Sequence, residues 1–369
     1  MVGAMTATRA KRGLLERLSE GPVICAEGYL FELERRGYLQ AGSFVPEVVL
    51  EHPEALAQVH RELMRAGSDV IEAFTYYGHR EKLRIIGKED ALEPLNLGAL
   101  ELAHSVAAEA DGEAPLVAGN ICNTNVWHPN DDAAARTVRA MFEEQVGWAV
   151  EGKADYVIAE TFYHCEEARV ALDVIKQSGL PSVVTLALPA SGTFVDGYSA
   201  GDAAAVLADD GADVVGLNCF RGPGTTMPAV REMRERVSTH VAALPVPYRT
   251  TEEFPTFFTF VEREEARDGL GRTAGQGTRI PNGRPFPVAL DPFLCDRYEM
   301  AGFARAAVDA DVRYVGVCCG GGPHHVRAMA EALGRTPPAS AYSPDMSKHF
   351  AFGTDPSLDE HTRGLASTL

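Results

Sequence analysis

Tyr314-Val315-Gly316-Val317-Cys318-Cys319-Gly320-Gly321-Gly322-Pro323 contains a strand, a turn and a helix start in immediate succession. The apolar, β-branched run Tyr314 to Val317 reads as a buried strand. Neighbouring side chains on a strand point to opposite faces. Cys318 and Cys319 can therefore share one ligand only where the strand stops and the backbone turns. Three glycines supply that turn, since glycine tolerates positive φ and close backbone approach. Pro323 suits the first turn of a helix, His324 to Leu333, where its missing N–H costs nothing. The stretch thus describes a site at the carboxyl end of a strand.

A second stretch matches it. Ala212 to Leu217 is another apolar strand, and it ends in Asn218-Cys219. Three thiolates from two strand ends suit a zinc ion and leave its fourth tetrahedral position open, which separates catalytic from structural zinc. Spacing alone equally allows three small buried residues, because free cysteine is among the most buried residue types and no local Cys-x-x-Cys pair is present.

Outward from these two strands, apolar runs alternate with helical patterns along the whole chain. Strands are expected at Val23 to Ala26, Asp69 to Ala73, Pro115 to Gly119, Asp155 to Ala159, Ser182 to Leu188 and Val246 to Arg249. Between them fall helical patterns at Phe31 to Arg36, Pro46 to Ala66, Leu97 to Ala110, Asp131 to Glu151, Glu166 to Ser178, Asp202 to Asp209, Met227 to Val241 and Arg297 to Val308. Eight strand–helix units with strands apolar on both faces close most simply as a (β/α)8 TIM-type barrel. An open doubly wound sheet is the alternative, but no Gly-x-Gly-x-x-Gly turn follows the first strand. Polar groups mark the strand exits: Glu27, Tyr76 and Tyr77, Asn120, Glu160 and Thr161, Asn218, and the cysteines. The expected divisions are a flexible lead at 1–14, the barrel at 15–335 and an irregular tail at 336–369 packed on it. Met1 to Arg17 lacks an apolar signal core and reads as a frayed lead. A long loop at 251–291 follows strand seven, with Phe254, Phe257, Phe258 and Phe260 at one end and a Gly-rich middle from Gly269 to Gly283. It is expected to act as a lid or binding loop.

Composition narrows the partners. The 369 residues are 46% hydrophobic and carry a net charge of −18, which argues against nucleic acid or an anionic membrane surface. No run approaches the roughly 18 apolar residues of a membrane helix. Seven scattered cysteines do not resemble a disulfide framework, so a reducing, cytoplasmic setting is expected. Monomer and homo-oligomer are both compatible with this composition.

Gly-Leu-Asn-Cys at 216–219 and Gly-Val-Cys-Cys-Gly at 316–320 resemble the two zinc-ligand motifs of the homocysteine S-methyltransferase family, and especially its betaine-using members. The likeness runs from about Leu15 to the chain end and is weakest at 220–291. It implies a barrel in which Cys219, Cys318 and Cys319 hold zinc while a methyl group passes from a cationic small molecule to homocysteine, giving methionine. Glu160, in Ile-Ala-Glu-Thr-Phe, matches the glutamate that holds the homocysteine amino group. Tyr77, in Phe-Thr-Tyr-Tyr, matches a catalytic tyrosine beside the zinc and the donor pocket. Gly28, Asn218, Tyr76 and Phe44 fall at further substrate-binding positions. The chain also departs from the pattern. Asp-Gly-Gly on the first strand is replaced by Ala26-Glu27-Gly28, a donor-pocket tryptophan by Phe44, a second pocket tyrosine by Thr161 and a phenylalanine by Tyr76. The thiol half of the site carries over better than the onium half, so a sulfonium donor stands beside betaine. A barrel with purely structural zinc is the non-enzymatic alternative.

The residues themselves support that chemistry. An anionic zinc–thiolate centre polarises carbonyls poorly but keeps a bound thiol deprotonated and nucleophilic. Its natural reaction is attack on a carbon attached to a positively charged nitrogen or sulfur, with the protein supplying alignment and desolvation. Cys25, Cys122, Cys165 and Cys295 read as buried core residues, and His324-His325 as helix surface.

Overall fold

A computed structural model of the chain describes residues 11–261, 284–360, 365 and 368–369. Its strands are β1 (Val23–Ala26), β2 (Val70–Glu72), β3 (Leu116–Cys122), β4 (Tyr156–Phe162), β5 (Ser182–Leu186), β6 (Val214–Asn218), β7 (His240–Leu244) and β8 (Tyr314–Val317). All pair in parallel and in chain order, and β8 returns to β1 with Val23 opposite Tyr314 and Ala26 opposite Val317. The sheet is a closed barrel, so the open-sheet alternative is excluded.

Around it stand α1 (Leu14–Glu20), α2 (Tyr29–Arg35), α3 (Val48–Glu51), α4 (Pro53–Ala66), α5 (Arg80–Ile86), α6 (Leu92–Ala107), α7 (Asp132–Glu151), α8 (Cys165–Ser178), α9 (Ala200–Asp209), α10 (Pro223–Arg236), α11 (Arg297–Asp309) and α12 (Pro323–Ala332). Side-chain alternation divides the core in two. Ile24, Val117, Val157, Val184, Val215 and Val315 pack outward against the helices. Val23, Cys25, Val70, Leu116, Ala118, Tyr156, Ile158, Val183, Val214 and Tyr314 fill the interior, where the Tyr156 and Tyr314 hydroxyls meet at 2.8 Å. Leu14 and Leu18 of α1 join this inner cluster and close its amino-terminal end.

Several local expectations are corrected. The seventh strand is His240–Leu244, not Val246 to Arg249. Pro245 and Pro247 flank Val246 and have no N–H to give to a ladder, and Tyr248 makes only an isolated antiparallel bridge with Leu294. The preceding helix accordingly stops at Arg236 rather than Val241. Ala242 and Ala243 disguise the strand, because alanine favours helix. The expected helix from Pro46 to Ala66 is broken at His52, since Pro53 starts a new helix at its first turn. Helix α5 had no counterpart in the sequence reading, and the lead does not run to Arg17, because α1 begins at Leu14. In the tail, Pro338–Tyr342 forms a 3-10 turn against α4 and α12, Ser340 bonds Glu331 at 2.8 Å, and Ala351 is buried.

Because Leu18 is fully packed at the barrel floor, Leu18→Ala is expected to cost about 2–5 kcal/mol in urea unfolding, with the far-ultraviolet circular dichroism of the folded protein unchanged. An unchanged midpoint would mean that α1 rides on the surface instead of closing the interior.

Candidate active site

At the carboxyl end of the barrel the inward positions change character. Two residues beyond Cys25, Val70, Ala118, Ile158, Gly216 and Gly316 stand Glu27, Glu72, Asn120, Glu160, Asn218 and Cys318. The alternation that packs apolar side chains below delivers polar ones above.

The sulfurs converge as the sequence suggested. The Sγ atoms of Cys219, Cys318 and Cys319 lie within 4.8 Å of one another. Cys219 donates its N–H to Leu244 O and Cys318 donates to Pro245 O, both at 3.0 Å, so the end of β7 aligns the two turns. Cys219 and Phe220 adopt φ of +52° and +48°, a left-handed conformation that non-glycine residues take at a cost. Gly320, at φ +91°, has room for no side chain, since a Cβ would lie 2.3 Å from Tyr248 Oη. Gly28 is required for a different reason: its Cβ would meet Gly321 O at 1.9 Å, where the turn after β1 presses on the Cys-Cys turn. His325 is not on the helix surface as expected but fully buried. Its Nδ1 accepts from Gly322 N–H at 3.2 Å while Nε2 faces Cys295 O at 3.0 Å. Burial lowers its pKa to about 4, which keeps the ring neutral, as this donor–acceptor pair requires.

Hydrogen bonds from the Cys318 and Cys319 thiols hold Cys219 well below the ordinary thiol range, while burial pushes Cys318 up. The seven cysteines are all free, and Cys25, Cys122, Cys165 and Cys295 are buried. Among the described residues no further His, Cys, Asp or Glu atom joins the three sulfurs within that distance. The cluster therefore fits a thiolate-bound metal ion with a position left for another ligand.

Beside it lies a carboxylate cluster. Glu27, Glu72 and Glu160 are only 6%, 2% and 3% exposed. Glu160 accepts from Asn120 Nδ2 at 2.6 Å, Asn218 Nδ2 at 2.7 Å and Thr161 Oγ1 at 2.9 Å. Asn120 Nδ2 also bonds Glu72, and Asn218 Nδ2 reaches Glu27 at 3.2 Å. Thr161, at φ +61°, donates its N–H to Asn218 Oδ1 at 3.0 Å. Ligand atoms of Glu27, Glu160 and Cys318 lie within 4.8 Å of one another, joining the two clusters. Burial pushes Glu160 up to about 7, and burial together with the Glu160 charge pushes Glu27 and Glu72 well above the carboxylate range. Among the described residues no Lys or Arg pairs with any of the three, and Glu27 Oε1 and Glu72 Oε2 have no hydrogen-bond partner. The sequence reading missed Glu72 and noted Asn120 only as a polar strand end. The available signal was their register, two residues beyond Val70 and Ala118.

On the other side of the sulfurs opens an aromatic cavity of about 330 Å³ that Cys219 and Cys319 help to line. Tyr76 and Tyr77 form one wall, with ring centroids 4.3 Å apart, and Tyr77 N–H points to Cys122 Sγ at 3.3 Å. Phe44, at φ +53°, and Thr161 also face it. From the loop after β7 come Phe257 and Phe258, 4.4 Å apart, and Phe258 meets Phe220 edge-on at 4.8 Å. The expected lid residues thus divide. Phe254 packs against the core instead, and Phe260 stacks on Phe293 at 4.2 Å. The Gly-rich middle of that loop lies outside the described residues.

Glu160 keeps its proton to about pH 7 in the folded protein, against an ordinary value of 4.5. The native state then binds more protons than the unfolded chain in that window, so stability falls as pH rises through it. In protein freed of metal and substrate, urea midpoints are expected to decline from about pH 5 to about pH 7, and less steeply in Glu160→Gln. Parallel profiles for the two proteins would show that Glu160 ionises without hindrance.

The fold and these clusters match known proteins. A model of the family described as homocysteine S-methyltransferase matches residues 24–333. Betaine–homocysteine S-methyltransferase 1 of Xenopus laevis is 36% identical over 370 residues, covering 97% of this chain and 84% of that protein. S-methylmethionine–homocysteine S-methyltransferase of Pongo abelii is 35% identical over 364 residues, covering 96% and 89%. The homocysteine methyltransferase MmuM of Escherichia coli, in its metallated form, shares the fold with a TM-score of 0.64 at 18% identity, over 85% of this chain and 97% of that one. With its barrel, its paired cysteine turns and a match across nearly its whole length, this chain belongs to the homocysteine S-methyltransferase family.

Proposed function

We propose that the protein transfers a methyl group from a cationic small-molecule donor to the thiol of homocysteine, giving methionine. The observation that carries this reading is the position of the three sulfurs between a buried carboxylate cluster and an aromatic cavity. An amino acid thiol needs a metal-binding pole for its sulfur and an anionic pole for its ammonium. An onium donor needs aromatic faces, which attract cations within about 6 Å.

Cys219, Cys318 and Cys319 would hold a zinc ion, which when bound supplies a site where the substrate thiol stays deprotonated yet nucleophilic. Glu160 receives the homocysteine ammonium, oriented by its bonds from Asn120, Asn218 and Thr161. Glu27 and Glu72, whose acid forms burial favours, stand beside it and hold the Asn218 and Asn120 amides that orient Glu160. Arrival of the ammonium supplies the missing counter-charge and draws Glu160 back to its ionised form. Tyr77, Tyr76, Phe44 and the loop phenylalanines surround the donor and exclude water, which strengthens attraction between a thiolate and a cation. The sulfur lone pair forms the new S–CH₃ bond. The electrons of the breaking bond return to the onium nitrogen or sulfur, which leaves neutral. No proton needs to move in this step, so no general base is required.

The lining supports betaine and sulfonium donors alike, since Phe44 gives it an aromatic face and Thr161 a small polar one. The free cysteines support a reducing, cytoplasmic setting.

Purified protein is expected to carry about one zinc per chain, lost together with activity in Cys318→Ala, and to form methionine from homocysteine with betaine, S-methylmethionine or a dimethylsulfonio acid. Full zinc retention by Cys318→Ala would remove that cysteine from the metal site. A protein that binds zinc but makes no methionine from any onium donor would defeat the reaction. In Glu160→Gln, homocysteine KM should rise roughly ten- to hundred-fold with donor KM little changed, as loss of a charge-assisted hydrogen bond implies.

A further inference from the structure

We propose that Lys82 binds a carboxylate of the methyl donor, so that the cavity selects zwitterionic onium acids over bare onium cations. The inference rests on the methyl-transfer reading and adds to it a residue that the sequence did not single out.

Lys82 lies on α5 and lines the same cavity as Cys219 and Cys319. Its Nζ stands 3.8 Å from the centroid of the Tyr77 ring, which holds the half-buried ammonium against the cavity wall. The other charged side chains of this short helix are paired, Arg80 with Glu144 and Arg84 with Glu81. Among the described residues Lys82 alone of these forms no ion pair, and it is the one that faces the site. Burial lowers its pKa, as expected of an ammonium short of a counter-ion.

An unpaired ammonium is a poor feature in a pocket that must admit a cation, because like charges repel across a weakly screening wall. It becomes useful when the donor carries its own carboxylate. The cavity then has two poles. Thiolate sulfur at its floor attracts the onium head, and Lys82 on its wall takes the carboxylate. A zwitterion can align with both, and that alignment turns its methyl-bearing end toward the sulfurs. A donor without a carboxylate gains from the first pole and is repelled by the second.

The test compares donors that differ only in this charge: glycine betaine with its methyl ester, and dimethylsulfoniopropionate with its methyl ester. Zinc-loaded wild type, Lys82→Met, Lys82→Arg and Lys82→Glu are assayed at saturating homocysteine, and binding of each donor is measured by calorimetry. Lys82→Met should raise the KM of the acids roughly ten- to hundred-fold while homocysteine KM and ester KM hold steady. Lys82→Arg should keep most of the wild-type preference, and Lys82→Glu should reverse it in favour of the esters. Equal effects on acid and ester, or none on either, would overturn the assignment, since a merely structural role cannot sense the donor's charge. The two readings separate cleanly. Methionine formed without acid–ester discrimination defeats Lys82 alone. Lys82-dependent binding of acids without methionine defeats methyl transfer alone. Failure to bind any acid defeats both.

Discussion

Inside a closed barrel every second residue of every strand must share one narrow column of space. This alternation governs the molecule. Near the amino-terminal end the column is filled by Val23, Val70, Leu116, Tyr156, Val183, Val214 and Tyr314 and sealed by α1. At the other end the same register brings Glu27, Glu72, Asn120, Glu160, Asn218 and Cys318 together. Carboxylates in such a place lose most of their hydration, which is costly without a compensating cation. Asn120 and Asn218 supply hydrogen bonds, and among the described residues no Lys or Arg forms an ion pair there, so the interior retains a demand for positive charge. In the proposed reaction a substrate ammonium would meet that demand.

The cysteines obey a different constraint. Adjacent side chains on a strand diverge, so Cys318 and Cys319 can meet only past the end of β8, in a turn that glycine makes possible. The turn is held from several sides. Tyr248 fills the space beside Gly320, Gly321 O presses on Gly28, and neutral His325 ties Gly322 to Cys295. Left-handed Cys219 is held against the end of β7 in the same way. These contacts, backbone and side chain alike, join neighbouring turns and bring the three sulfurs together.

The barrel was legible because it rests on short-range rules, apolar runs and strand alternation, whereas spacing left the three cysteines open between a metal site and buried core and the family likeness pointed to the metal. Glu27, Glu160, Asn218, Tyr76 and Tyr77 stand at the barrel mouth as strand-exit residues, and Phe44, placed by the family likeness alone, lines the cavity beside them. What escaped depends on registers or distances that a local pattern does not encode. Glu72 was hidden because a strand of only Val70–Glu72 shows too few residues to reveal its phase. Strand β7 was misplaced because its alanines continue a helical pattern and the true stop, Pro245, lies one residue beyond it. His325 reads as helix surface because it sits at a helix start just behind the Cys-Cys turn. Its burial follows from Cys295, thirty positions away in sequence and brought close only by the closed fold.

The two halves of the site are built from different kinds of structure. Glu27, Glu72, Asn120, Glu160 and Asn218 sit on or directly at strand ends, fixed by ladder hydrogen bonds and by one another. Phe44, Tyr77, Phe220, Phe257, Phe258 and Phe286 come from turns and loops, and Lys82 from a short helix. Loops tolerate substitution and insertion that a packed barrel interior does not. On the proposed division of roles, a change of methyl donor would require only a new rim, whereas a change of acceptor would require rebuilding the barrel's interior layer. The departures at Phe44, Tyr76 and Thr161 all face the aromatic cavity. Under the proposed reaction, donor choice would follow from the rim's charge and shape, with the acceptor half built into the layer beneath it.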